Sequence, residues 1–140
     1  MYLVDASVIL KWFLPDEEYA EKADRLYGSM RSGEIKLGTD CSAIHEVANV
    51  LHGKGNLAAQ VITKSIARVF SDGLVLILSE QQSLIDAIHI GFAKKIGTHD
   101  AVLITAAMNS GSTLVTADHL LYKVAKQYID AQLLQEMRDC

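Results

Sequence analysis

Four short apolar segments alternate with stretches of helical periodicity along this chain, and that alternation constrains its fold more than any other feature. Residues 2–4, 35–38, 74–78 and 112–116 read as strands. Parallel strands need crossover connections, usually a helix, so strand and helix in alternation predict an α/β domain with a mostly parallel sheet. The segment 74–78 is an unbroken apolar run between Gly73 and Ser79, the pattern expected of a strand buried on both faces. A short last strand near the C-terminus would bring the sheet from four strands to five.

The intervening stretches carry helix signals. Residues 7–14 look helical until Pro15 interrupts them, and Asp16 is placed to cap a second helix. Tyr19, Ala20, Ala23, Leu26 and Tyr27 recur there at helical spacing until Gly28 and Gly33 loosen it. Residues 41–51 put Ile44, Val47, Ala48 and Leu51 on one face, and Gly53 and Gly55 end that helix. Further helices are expected over 56–70, 81–95, 101–110 and 119–126, with Ile96, Gly97 and Thr98 separating the second from the third of these runs.

A chain of 140 residues fits one domain, and neither a linker nor an internal repeat divides it, so residues 1–140 are read as a single unit. No apolar run approaches the roughly 20 residues of a membrane-spanning helix, and the start MYLVDASVIL lacks the pattern of a signal peptide, which predicts a cytoplasmic protein with no membrane partner. Cys41 and Cys140 have no CxxC or Cys/His spacing and are expected to be reduced thiols. Phosphate-cradling glycine motifs are absent, so no nucleotide cofactor is expected. The net charge of −4 argues against a basic nucleic-acid-binding surface, although two divalent cations would neutralise it.

Four acids stand out by position. In open α/β sheets ligands bind beyond the carboxyl ends of the strands, where Asp5 directly follows the first strand and Asp118 lies two residues past the fourth. Asp5, Asp100 and Asp118 also lie at or near helix starts, where capping alone would account for a carboxylate. Capping does not explain Glu46, which lies opposite the apolar stripe of its helix and shares a face with Asn49 and Gly53. Its ordinary reading is a solvated glutamate.

Four segments in order, VDASVILKWFLPDEE, HEVANVL, HDAVLITAA and LVTADHLL, resemble the motifs of PIN-domain ribonucleases, most closely the VapC-type toxins of toxin–antitoxin pairs. The resemblance covers essentially the whole chain. It implies a PIN-like three-layer α/β/α fold with a central mostly parallel sheet of four to five strands. It also implies that Asp5, Glu46, Asp100 and Asp118 are the catalytic, metal-binding acids, with Ser7, Thr116 and Asn49 in support. Asn49 is equally well read as a surface amide. Such proteins often carry a proline before the helical glutamate, where this chain has Thr39, Asp40 and Cys41; Asp40 there is a candidate helix cap.

The implied activity is an endoribonuclease that hydrolyses RNA phosphodiester bonds with metal-activated water, leaving a 5′-phosphate and a 3′-hydroxyl. Clustered carboxylates repel one another unless cations compensate them, and oxygen ligands suit one or two ions of Mg2+ or Mn2+. A small antitoxin with a basic tail and a homodimeric state are the partners the resemblance implies. His45, His99 and His119 each adjoin a proposed ligand, but consecutive helical residues point about 100° apart, so ligand or base roles are not expected of them. His52 and His89 read as structural or exposed, and Lys11, Lys54, Lys94, Lys95, Lys123 and Lys126 are scattered cations that RNA phosphates could meet.

Two other functions stay open at this point: an inactive PIN-like module that binds RNA or protein without cutting, and a different α/β phosphate enzyme or receiver domain. Against the second, the first strand ends in D-A-S without a further acid two residues on, and the 74–78 strand has no terminal aspartate.

Overall fold

A computed structural model describes residues 1–54 and 57–138. Gly55, Asn56 and Cys140, on which a helix end, a helix start and a thiol are expected, lie outside them.

The chain runs β1 Tyr2–Val4, α1 Ala6–Phe13, α2 Ala20–Arg31, β2 Leu37–Asp40, α3 Cys41–Gly53, α4 Ala59–Ser71 and β3 Val75–Ile77. It continues with α5 Gln81–Lys94, α6 Thr98–Ser110, β4 Thr113–Thr116, α7 His119–Ala125, β5 Ala131–Leu133 and a 3-10 turn, Leu134–Glu136. The sheet has the order β3-β2-β1-β4-β5. All four pairings are parallel, with Leu3 beside Gly38 on one side and Leu114 on the other. The sheet is thus wholly parallel, at the centre of an α/β/α sandwich.

Strand order determines where the site lies. From β1 the chain moves outward to β2 and β3, then crosses back past β1 to β4 and β5. Right-handed crossovers in opposite directions put their helices on opposite faces, and in open α/β sheets the switch, here between β1 and β4, is where a ligand crevice is expected. The core on either side is aliphatic: Leu3, Val4, Leu37, Leu114 and Val115 in the strands, and Val8, Ile9, Val47, Leu51, Leu103 and Ile104 in the helices. α6 shows the consequence, being buried from Ala101 through Ala107.

Several expectations need correction. β3 is an edge strand: Val75, Leu76 and Leu78 are 42%, 39% and 77% exposed, so the apolar run is not buried on both faces. α2 is capped at Tyr19, not Asp16; Tyr19 takes a left-handed φ of 63° after a turn that begins at Leu14, and Asp16 lies within that turn. Trp12 Nε1 donates to the Ala23 carbonyl at 2.9 Å and its ring tilts against Tyr27, which fixes α1 on α2. Gly28 does not loosen α2, which runs past it to Arg31. β2 begins at Leu37 and reaches Asp40, later than expected, and α6 begins at Thr98 rather than Ala101. Among the described residues, no helix is long and apolar enough to cross a membrane.

Candidate functional site

Asp5 is the residue by which β1 becomes α1. It takes an extended conformation, and its buried side chain caps the helix by accepting from Val8 N at 3.3 Å. Two hydroxyls also serve it: Ser7 Oγ donates to Oδ1 and Thr116 Oγ1 to Oδ2, each at 2.6 Å. Each hydroxyl in turn accepts a backbone N–H from the loop after β4, Ser7 from Ala117 and Thr116 from Asp118, both at 3.0 Å. Amide, hydroxyl and carboxylate therefore form two short chains that polarise toward Asp5. Burial still dominates and pushes the Asp5 carboxyl up to about 6; these hydrogen bonds oppose the shift and the charge of Asp100 adds to it.

Asp118 follows β4 as Asp5 follows β1. Its Oδ1 accepts from Leu120 N at 2.8 Å and Leu121 N at 3.1 Å, capping α7. Asp100 does not cap α6, because Gly97 holds that position; it lies in the first turn. Its carboxyl is raised by burial, while nearby His99 lowers it and Asp118, Glu46 and Asp40 each raise it. Glu46 is exposed on α3, with Oε2 4.0 Å from His99 Nε2; that same nitrogen is 3.6 Å from Asp100 Oδ1. Asp5, Glu46, Asp100 and Asp118, from four different elements, thus share one electrostatic neighbourhood with Asp100 at its centre.

The sequence reading gave Asp40 no place in this neighbourhood. Asp40 ends β2, is buried, caps α3 through Ala43 N at 3.1 Å, and accepts from Ser42 Oγ at 2.7 Å. Asp40-Cys41-Ser42 thus repeats the local geometry of Asp5-Ala6-Ser7, and the shared D-x-S spacing after a strand was the available signal. Helical divergence of neighbouring side chains predicts no role for His99 beside Asp100. At the first turn of α6 its imidazole nevertheless reaches Glu46 and Asp100. Elsewhere, His119 Nε2 meets Gln135 Nε2 at 3.1 Å, and Asn49 shares a groove wall with Glu46. The lysines do not all form free cations. Lys11 is buried, 3.9 Å from Glu17, and Lys126 lies over the Tyr122 ring.

Asp5, Glu46, Asp100 and Asp118 offer only carboxylate oxygens, the donor type that hard divalent cations take. The raised Asp5 and Asp100 carboxyls fit that chemistry, since burial and mutual repulsion disfavour the charges a cation would compensate. In their present rotamers, no three His, Cys, Asp or Glu side chains stand close enough to hold one ion among the described residues. Closing on an ion needs side-chain movement, for which exposed Glu46 has the most freedom.

A sequence-family model described as "PIN domain" matches residues 2–127. No curated protein matches the chain. Among solved structures, VapBC-1 from nontypeable Haemophilus influenzae aligns with a TM-score of 0.70 at 12% identity, over 96% of this chain and 98% of that one. DNA-bound VapBC from Salmonella typhimurium aligns at 0.67 and 15% identity, covering 95% and 97%. FitAcB from Neisseria gonorrhoeae aligns at 0.66 and 14% identity, covering 98% and 100%. At such identities these likenesses speak for a shared fold.

Proposed function

Since the chain belongs to the PIN-domain family, we propose that it is a divalent-metal-dependent endoribonuclease, with Asp5, Glu46, Asp100 and Asp118 as the acids that hold one or two ions of Mg2+ or Mn2+. The observation that carries this reading is the electrostatic meeting of these four carboxylates around Asp100, at the carboxyl ends of β1 and β4.

A bound divalent ion supplies an activated water and stabilises charge on the phosphate. The chain's own residues do the positioning. Ser7 and Thr116 hold both oxygens of Asp5, so this carboxylate keeps one rotamer beneath the crevice. Capping of α7 ties Asp118 to its place, and Glu46 approaches across the groove from α3. Asn49, on the groove wall beside Glu46, is placed to meet the same substrate.

The same reading makes the protein the toxin of a toxin–antitoxin pair, neutralised by a small protein whose basic tail enters the acidic crevice; guanidinium pairs bidentately with carboxylate. The aligned VapBC and FitAcB structures support this assignment. A homodimer is proposed as well. The edge strand β3 exposes Val75 and Leu76, Leu78 follows it, and α5 exposes Leu84, Ile88 and Phe92, apolar side chains that a second copy could cover.

Incubating the purified chain with structured and single-stranded RNAs in Mg2+ or Mn2+ tests the activity. Cleavage should require the ion and vanish in Asp5→Asn. Absence of cleavage, or cleavage unchanged in that variant, would favour the other reading, a PIN module that binds without cutting.

A further inference from the structure

We propose that the groove between α3 and the start of α6 is a subsite for one unpaired nucleobase beside the scissile phosphate, with His99 as its stacking platform and Gly97 as the residue that positions His99. This subsite rests on the ribonuclease reading above and names which part of the substrate meets which wall.

The groove is a shallow, open depression of about 430 Å3 lined by Ser42, His45, Glu46, Asn49, Val50 and His99. Its two sides approach at the acidic end, where Ser42 Oγ, whose proton goes to Asp40, lies 3.5 Å from the His99 carbonyl oxygen and His99 Nε2 lies near Glu46 and Asp100. A group seated here is therefore next to whatever the acids hold. Its chemistry can be read from the walls. Glu46 is the one carboxylate among the lining residues, and neither lysine nor arginine lines the groove, so a phosphate there would meet a like charge and no lysine or arginine. Two imidazoles and the Val50 side chain offer faces for a flat ring. The Asn49 amide, the Ser42 hydroxyl and the imidazole nitrogens offer both donors and acceptors. A planar, uncharged, hydrogen-bonding ring attached to a phosphate is a nucleobase, and single-stranded RNA is recognised by stacking and edge hydrogen bonds of this kind.

Gly97 gives the inference its second, independent support. Its φ of −63° and ψ of 143° suit any residue, so the backbone does not call for glycine. What occupies the space beside it is the His99 side chain. A Cβ at position 97 would stand 2.7 Å from His99 Nδ1 and closer still to Cε1, so the imidazole lies against the bare glycine. Any larger residue at 97 must displace the ring. The ring thus lies against Gly97 on one side, with its Nε2 edge 3.6 Å from Asp100 Oδ1 and 4.0 Å from Glu46 Oε2, which places a flat face at the acidic end of the groove.

The test uses the full chain in an Asp5→Asn background, where cleavage is silenced, with Mg2+ present. The probes are single-stranded RNA oligomers carrying one 2-aminopurine at successive positions, read by anisotropy and by quenching of the fluorescent base. We expect quenching at one position only. His99→Ala and Gly97→Ala should each abolish that quenching and weaken binding roughly fivefold or more, the loss of one stacked base, with unfolding midpoints unchanged. His99→Phe, which keeps a flat ring without its nitrogens, should restore quenching and affinity. Binding and quenching that are identical in all variants, while the native chain cleaves RNA, overturn the subsite and leave the ribonuclease reading intact. Absence of RNA binding by every variant, with no cleavage by the native chain, overturns both.

Discussion

The Thr116 hydroxyl donates a 2.6 Å hydrogen bond to Asp5 Oδ2, joining the ends of two adjacent strands that are 111 residues apart in sequence. Thr116 Oγ1 itself accepts from Asp118 N, so one hydroxyl connects the two aspartates at the topological switch.

Thr116→Val keeps the side-chain shape and removes both bonds. A buried acceptor deprived of its donor costs about 1–3 kcal/mol, so the urea midpoint at neutral pH should fall accordingly. An unchanged midpoint would mean that the hydroxyl does not support Asp5.

Asp5 also predicts a pH dependence. Its folded-state carboxyl sits at about 6, above the ordinary 3.8, because burial penalises the charge. Folding therefore favours its protonated form. That contribution is fully present below pH 3.8 and is lost as pH rises through about 6, at a cost of order 1–3 kcal/mol. Without divalent ions, Asp5→Asn should gain on the native chain across this window in urea denaturation. Two stability curves that stay parallel would contradict the burial argument.

These carboxylates also show where sequence reading reaches and where it stops. The strand and helix alternation was legible because crossovers require it, and Asp5 and Asp118 stood out by following strands. Capping and site membership looked like rivals for the same residues. Asp5 and Asp118 cap helices within the same acidic neighbourhood, because the N-terminus of a helix after a parallel strand is where the crevice opens. The exposure of β3 was not legible: a run of apolar residues reads alike at the centre and at the edge of a sheet, and only the strand order distinguishes them. His99 was hidden for a similar reason. Its reach to Glu46 depends on where α3 lies relative to α6, and its close contact with Gly97 depends on a ring orientation, neither of which periodicity encodes.

The exposed face of α5 gives a further expectation. Phe92 is 82% exposed and continues the stripe of Leu84 and Ile88. Phe92→Glu should shift the chain toward monomer in sedimentation velocity without altering RNA cleavage at saturating protein. A native chain that is monomeric at tens of micromolar would remove the dimer from the account.

The chain of hydroxyls onto Asp5 predicts a graded effect on metal affinity. Ser7→Ala removes a donor that holds a proposed ligand, a change that typically weakens metal binding about 10- to 100-fold. Loss of Mn2+ affinity in that range, with the fold intact by circular dichroism, is expected; no loss would make Ser7 a helix-start residue only.

The most direct test of the central claim is calorimetric titration of Mn2+ into the native chain and into Asp5→Asn, Glu46→Gln, Asp100→Asn and Asp118→Asn. The account predicts saturable binding to the native chain that weakens more than about tenfold in every one of the four. Native-like affinity in all four variants, or no saturable binding to the native chain, would contradict a shared metal site built from these acids.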